Sequence, residues 1–229
     1  MPTLVSSSSE LWSSKSAQYI LENINNVIQN NGFCNLMLTG GNTAEKIYLE
    51  WANNKDFPFD KINFYFGDER CVNYSDVNSN FNLVKNSLFK YNNIDTFNVF
   101  RIKVELESVQ KILDDYKEKL PVKIDILLLG LGLDGHIASL FPKSSALYKN
   151  NVDLIYVDDP TINFKRFTIT PKIIFNSKYI FLLAKGKLKG EVLKKSLDDT
   201  ANFYNFPVCL VNNSFWLIDN EIIDVLKNK

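Results

Sequence analysis

Short apolar segments alternate with amphipathic helical segments along the chain, and this alternation constrains the fold more than any other sequence feature. Residues 124–129, apolar except for Asp125, have the pattern of a parallel strand buried on both faces. Strands alternating with helices are typical of βαβ units, so we expect an α/β fold with a mainly parallel sheet. Further strands are predicted over residues 36–38, 62–66, 154–157, 179–184 and 208–211, and helices over residues 10–30, 44–52, 106–120 and 188–197.

Length and charge bound the number of domains and the class of partner. The 229 residues are 45% apolar and show no repeat or low-complexity linker, so we expect one α/β domain over residues 1–229. The 26 basic and 26 acidic residues balance. A nucleic-acid-binding protein would need a basic patch, and nothing here suggests one. Any cationic binding site must therefore be local.

Cysteine usage and hydropathy indicate the compartment. Cys34, Cys71 and Cys209 are far apart and form no Cys-x-x-Cys pair, which argues against a disulfide framework and against a zinc site. No segment approaches the roughly 20 apolar residues that span a bilayer. The Ser-rich N-terminus lacks the apolar core of a signal peptide. We therefore expect a reduced, cytoplasmic protein with no membrane segment and no metal.

Three loops that carry polar or glycine residues each follow a predicted strand. They span residues 39–43, 67–70 and 130–136. In open α/β sheets the ligand site lies outside the carboxyl ends of the strands. We therefore expect these loops to converge on one cleft.

The loop at residues 130–136 contains His136, the single histidine of the chain. An imidazole gains or loses a proton near neutral pH, so His136 is a candidate catalytic base, with Asp134 two residues before it. Residues 130–135 also fit the dinucleotide fingerprint Gly-x-Gly-x-x-Gly, with Asp158 about twenty positions on. That motif needs a long helix at the glycines, whereas Pro142 limits any helix here to a very short one. We therefore expect no nicotinamide cofactor.

The other loops carry candidate anion-binding groups. Gly40, Gly41, Asn42 and Thr43 precede a predicted helix, whose N-terminus favours an anion, although a tight turn capped by Thr43 would look the same. Asp68 and Arg70 follow a strand, where Arg70 can pair with a carboxylate or a phosphate. Arg166 and the lysines at 185, 187 and 189 add positive charge, and each also fits a solvated surface position.

Taken together, segments spread over nearly the whole chain resemble the 6-phosphogluconolactonase family in order and spacing. The block Asp-Gly-His-Ile-Ala-Ser-Leu-Phe-Pro, at residues 134–142, is the most specific of them. Asn73 and Ala44 depart from the family, which commonly has proline there, and both should alter loop stiffness more than chemistry. The matching segments are residues 38–43, 66–72, 79–81, 129–142, 166–170, 186–189 and 207–208.

The resemblance implies a Rossmann-like sheet with helices on both faces and hydrolysis of a sugar-phosphate lactone without a cofactor. It implies that His136 is the general base, that Asp134 orients it, and that Arg70 lies near the reacting carbonyl or on the phosphate. The dehydrogenase that precedes the lactonase in its pathway is a candidate partner. The phosphate and substrate contacts are assigned to Gly40, Gly41, Asn42, Thr43, Asp68, Arg166 and Lys189, the last being the best match to the family lysine.

Two other functions stay open. The glucosamine-6-phosphate isomerase/deaminase family shares the Asp-Gly-His block but has a glutamate where this chain has Phe141, and a tyrosine where it has Arg70. Both differences favour the lactonase. Non-catalytic sugar-phosphate sensor domains usually follow a DNA-binding module, for which this sequence leaves no room. The retention of Arg70 and His136 also favours an enzyme.

Overall fold

The structure is a computed structural model that describes residues 1–198 and 200–227. Within these residues, seven strands form one sheet and three form a second, smaller sheet. The strands are β1 (Thr3–Ser7), β2 (Cys34–Leu38), β3 (Ile62–Phe66), β4 (Asp68–Arg70), β5 (Asn98–Phe100), β6 (Ile126–Gly130), β7 (Leu154–Val157), β8 (Arg166–Ile169), β9 (Tyr179–Leu183) and β10 (Phe215–Asp219). The helices are α1 (Trp12–Asn31), α2 (Asn42–Ala52), α3 (Asn80–Ser87), α4 (Val109–Lys119), α5 (Pro171–Asn176), α6 (Lys187–Ser196) and α7 (Asn220–Lys227).

The large sheet has the strand order β1-β10-β9-β6-β2-β3-β5, and every adjacent pair is parallel. All five residues of β2 are buried. Because successive side chains of a strand point to opposite faces, both faces of the sheet are covered at its centre. The predicted α/β fold with a mainly parallel sheet is confirmed.

Local signals explain where the predicted helices begin and end. Gly32, with φ of +82°, ends α1 in the left-handed conformation that glycine adopts most easily. The helix predicted over residues 106–120 begins later, at Val109, because the Ser108 hydroxyl accepts the Lys111 N–H at 3.2 Å. Within the described residues, no helix combines the length and the apolar character needed to span a membrane.

The strand predicted over residues 208–211 is wrong. Residues Pro207–Val211 form a 3₁₀-helix instead, with Pro207 in its first turn. Val208 and Val211 are both buried and lie three residues apart, which is one turn of such a helix. The strand of this region is β10, four residues further along, which is not among the predicted strands.

The small sheet has the order β4-β8-β7 and is antiparallel. Its first strand in the chain, β4, begins directly after β3, and Gly67 is the one residue between these two strands. The Gly67 N–H donates to the Leu38 carbonyl at 2.9 Å, and the Gly67 carbonyl accepts the Ile169 N–H at 2.8 Å. This connection turns β4 away from the large sheet and places Arg70 opposite Arg166 on β8. That residues 1–229 form a single domain stays a prediction.

Candidate active site

The three loops predicted to converge are joined by hydrogen bonds at the carboxyl edge of the sheet. The Gly130 N–H, at the end of β6, donates to the Thr39 hydroxyl at 3.3 Å. The Ser139 hydroxyl, in the loop after β6, donates to the Asp68 carboxylate at 2.6 Å. Loops that follow β2, β3 and β6 therefore meet at this edge of the sheet.

The loop before α2 presents unpaired backbone amides. Gly41 is the N-cap of α2, with φ of +91°, and no side chain caps this helix, so Thr43 is not its cap. Within residues 1–198 and 200–227, no acceptor is hydrogen-bonded to the N–H groups of Gly41, Asn42 or Thr43. Free amides at a helix N-terminus attract an anion.

The start of α6 provides an internal comparison. Gly186 precedes α6 with nearly the same backbone angles as Gly41. There, however, the Gly186 N–H donates to Asp219 at 3.2 Å, and the Lys187 N–H donates to Glu221 at 3.3 Å. The N-terminus of α6 is therefore occupied by the protein's own carboxylates, whereas that of α2 is open.

Lys189 is the lysine that contacts the α2 loop. Its ammonium donates to the Thr43 hydroxyl at 3.0 Å. Burial lowers the pKa of Lys189, as expected for an ammonium partly removed from water. Lys185 instead donates to the Ser9 carbonyl, and the Lys187 side chain is exposed.

Arg70 and Arg166 form a cationic pair across β4 and β8. The Arg166 side chain is 13% exposed, and its Nη1 lies 4.0 Å from the Asp68 carboxylate. Arg70 donates through Nη1 to the Asn78 carbonyl at 2.6 Å. The Nε atoms of both arginines are buried without a hydrogen-bond partner in the described part of the chain. Burial, followed by the charge of Arg70, lowers the pKa of Arg166, so this pair favours a bound anion.

The two acidic residues of β4 point to different places. The buried Asp68 carboxylate accepts from Ser139 and, at 3.2 Å, from Asn80. Glu69 is buried and accepts the N–H groups of Asn80 and Phe81, at the start of α3. Asp68 therefore holds the site loops together and Glu69 caps a helix, while direct contact of Asp68 with a substrate stays a prediction.

His136 is held by Asp134. Its Nδ1 lies 2.6 Å from Asp134 Oδ1, and its backbone N–H donates to the same oxygen at 3.1 Å. Burial raises the pKa of Asp134, but the hydrogen bond and charge of His136 outweigh it and hold this pKa below its usual value. The imidazole remains 30% exposed. Contact through Nδ1 leaves Nε2 as the nitrogen that can take a proton from a substrate or water.

The glycines around His136 make room for this geometry. A Cβ at Gly132 would lie 2.2 Å from His136 Nδ1 and 2.6 Å from Asp134 Oδ1. Gly135 has φ of +89°, a conformation that L-residues rarely adopt. No helix occurs within residues 131–142, so the long helix of a dinucleotide-binding motif is absent there. The described residues also contain no cluster of three or more His, Cys, Asp or Glu side chains that could hold a metal ion.

Comparison with known proteins decides the family. Residues 7–218 match the family of glucosamine-6-phosphate isomerases/6-phosphogluconolactonase. The chain belongs to this family. It is 30% identical over 175 residues to the 6-phosphogluconolactonase of Treponema pallidum, covering 72% of each chain. It is 32% identical over 170 residues to that of Thermotoga maritima, covering 72% of this chain and 75% of the relative. The structure of the Trypanosoma brucei 6-phosphogluconolactonase matches with a TM-score of 0.85, at 24% identity and 99% coverage of both chains.

In this member of the family, three buried polar side chains without a predicted role contact the site residues: Ser139, Thr168 and Asn80. Besides bonding to Asp68, Ser139 donates its N–H to the Thr168 hydroxyl at 3.1 Å. The amide of Asn80 donates to the Asp68 carbonyl at 2.9 Å, and its Oδ1 is buried without a partner in the described residues. These contacts join residues far apart in the chain, so no local sequence signal reveals them.

Proposed function

We propose that this protein hydrolyses 6-phospho-D-glucono-1,5-lactone to 6-phospho-D-gluconate, the second step of the oxidative pentose phosphate pathway. The named relatives support a lactonase, and one observation carries the proposal. A single imidazole, oriented by Asp134, lies at the same sheet edge as an open helix N-terminus and an incompletely neutralised pair of arginines. This arrangement suits a substrate with an anion at one end and an electrophilic carbonyl at the other.

The phosphate binds first in this proposal. The amides of residues 40–43, the Lys189 ammonium and the Arg166 guanidinium surround it with positive charge. A dianionic phosphate needs this local charge because the whole chain has no formal net charge. Binding the phosphate fixes the lactone ring with its carbonyl toward His136.

Hydrolysis then needs two proton transfers, the first from water to His136 and the second from His136 to the ring oxygen of the lactone. His136 Nε2 takes a proton from water as the water oxygen bonds to the lactone carbonyl carbon. Asp134 stabilises the imidazolium, and Arg70 stabilises the negative charge that forms on the carbonyl oxygen. The bond between that carbon and the ring oxygen breaks, and the imidazolium returns its proton to the ring oxygen. The product is the open-chain acid, and this reaction of an activated ester requires no metal or cofactor.

A paired assay tests the proposal. Purified protein should accelerate the loss of 6-phospho-glucono-lactone above its spontaneous hydrolysis and release no ammonia from glucosamine 6-phosphate. Ammonia release at comparable efficiency would instead assign the isomerase/deaminase reaction. Saturable binding of either compound without turnover would assign a sensor. A cytoplasmic location and the preceding dehydrogenase as a partner stay predictions.

A further inference from the structure

Phe141 contacts both ends of the site. Its ring centroid lies 4.7 Å from that of His136, with the two planes inclined by 48°. The Arg166 Cζ lies over the same ring, 5.6 Å from its centroid. Phe141 therefore contacts both the proposed base and the proposed phosphate ligand, although it contributes no polar group.

The backbone fixes the position of this ring. Ala138 has φ of +49° and Lys143 has φ of +64°, a left-handed conformation that is uncommon for residues other than glycine. Around Ala138, the Leu140 N–H donates to the Ile137 carbonyl at 3.0 Å, which closes a turn and reverses the chain. The reversal brings residue 141 back over His136.

Each contact with Phe141 restricts a side-chain motion that the polar contacts of His136 and Arg166 still allow. The hydrogen bond to Asp134 fixes one edge of the imidazole but permits rotation about that bond, and the packing of the Phe141 ring against the imidazole opposes this rotation. Arg166 has a buried Nε without a partner in the described residues, and its Nη1 is 4.0 Å from Asp68. A cation–π contact with Phe141 holds the guanidinium where the carboxylate alone holds it loosely.

The two contacts together place an upper limit on the distance between the imidazole and the guanidinium. With separations of 4.7 and 5.6 Å from one ring, the imidazole centroid and the guanidinium carbon lie at most about 10 Å apart. A phosphorylated six-carbon lactone and one water molecule can bridge a gap of this order. We infer that Phe141 is a positioning residue that sets the spacing between His136 and Arg166, and thereby makes turnover depend on the substrate phosphate. This inference rests on the proposed function.

The kinetic test compares Phe141→Leu, which removes the ring face but stays apolar, with Phe141→Tyr, which keeps the ring. Misplacing a reacting group by about 1 Å costs up to about 100-fold in rate. Phe141→Leu should therefore lower kcat/KM for the phosphorylated lactone about 10- to 100-fold, and lower that for unphosphorylated glucono-lactone much less. Phe141→Tyr should restore the preference for the phosphorylated substrate.

Phe100→Leu is the matched control. Phe100 is also partly buried and stacks on an aromatic ring, that of Tyr65, at 4.9 Å, but it lies on β5 at an edge of the sheet. This variant should keep the preference. The inference would be overturned if Phe141→Leu lowered kcat/KM for both lactones by the same factor, or for neither.

A second readout does not depend on turnover. Because His136 is the single histidine, its imidazole proton signals in an NMR spectrum are unambiguous. Binding of inorganic phosphate is followed by ³¹P NMR. In the wild type, bound phosphate should shift the imidazole proton signals of His136. Phosphate should also bind Phe141→Leu, but there it should shift the His136 signals much less. An equal shift in both proteins, or no shift in the wild type, would refute the spacing role. If phosphate shifts the His136 signals of a wild-type protein that hydrolyses no lactone, the proposed function would be refuted and the spacing role would stand.

Discussion

Replacing Arg166 by alanine isolates the phosphate-binding end of the site. The side chain is 13% exposed and lies opposite Arg70 on the neighbouring strand. Its nearest carboxylate, that of Asp68, is 4.0 Å away and already accepts hydrogen bonds from Ser139 and Asn80. The charge of Arg166 is therefore available to an anion from solvent.

The expected magnitude follows from this environment. A hydrogen bond to a charged group contributes about 1.5–3 kcal/mol, which corresponds to a factor of about 10–150 in affinity. Little solvent reaches Arg166 to screen the contact, so the upper part of this range applies. Folding should suffer less, because the substitution also removes the repulsion from Arg70 that contributes to the lowered pKa of Arg166.

The assay measures kcat and KM for the phosphorylated and the unphosphorylated lactone with wild type, Arg166→Ala and Arg166→Lys. Arg166→Ala should raise KM for the phosphorylated lactone and change KM for the other much less. Arg166→Lys should recover part of the loss. Lys165→Ala removes an adjacent, exposed cation that pairs with Asp158 at 2.8 Å, and should change neither value. Equal weakening of both lactones by Arg166→Ala would show that Arg166 does not bind the phosphate.

Three further predictions concern the histidine loop, the lysine and a helix cap. Gly132→Ala should lower kcat up to about 100-fold, measured by lactone hydrolysis, because its methyl group would displace the imidazole. Affinity for 6-phosphogluconate, measured by calorimetry, should fall as pH rises through the lowered pKa of Lys189, since its ammonium is lost below the usual lysine range. Ser79→Ala should cost about 1–2 kcal/mol of unfolding free energy in denaturant titrations, because its hydroxyl caps α3 and also donates to Glu69.

Each of these has its own control. Gly130→Ala places a methyl group at an ordinary 3.7 Å from its neighbours and should retain activity. Equal losses in both glycine variants would contradict the displacement argument. Lys189→Arg should move the loss of affinity to higher pH, and an unmoved profile would exclude the lysine. Ser108→Ala removes an exposed cap and should destabilise less than Ser79→Ala; the reverse order would refute the argument from burial.

The sequence predicted several strands correctly, but it did not reveal how they pair, and one apolar segment was wrongly predicted to be a strand. Residues 62–66 and 154–157 are strands with the predicted bounds. The pattern of residues 154–157 does not reveal that they pair antiparallel with β8, because pairing depends on the whole fold. Residues 208–211 are apolar and β-branched in part, but a proline in the first turn and two buried valines three residues apart produce a 3₁₀-helix.

The candidate site shows the same division. A spacing of two residues in a glycine-rich turn makes Asp134 a candidate partner of His136 without establishing the contact, and the structure places Nδ1 2.6 Å from the carboxylate. The bond between Ser139 and Asp68 joins residues 71 positions apart, so no spacing rule predicts it. Among the lysines at 185, 187 and 189, the direction of each side chain from the start of α6 decides which one contacts Thr43.

The rate of 6-phospho-glucono-lactone hydrolysis by His136→Ala tests the central claim most directly. Acid–base catalysis by a positioned side chain contributes about 10²–10⁴-fold, so kcat/KM above the spontaneous background should fall by that factor. Affinity for 6-phosphogluconate should change little, because the phosphate contacts remain. A His136→Ala protein with undiminished activity would remove the imidazole from the mechanism and contradict the account.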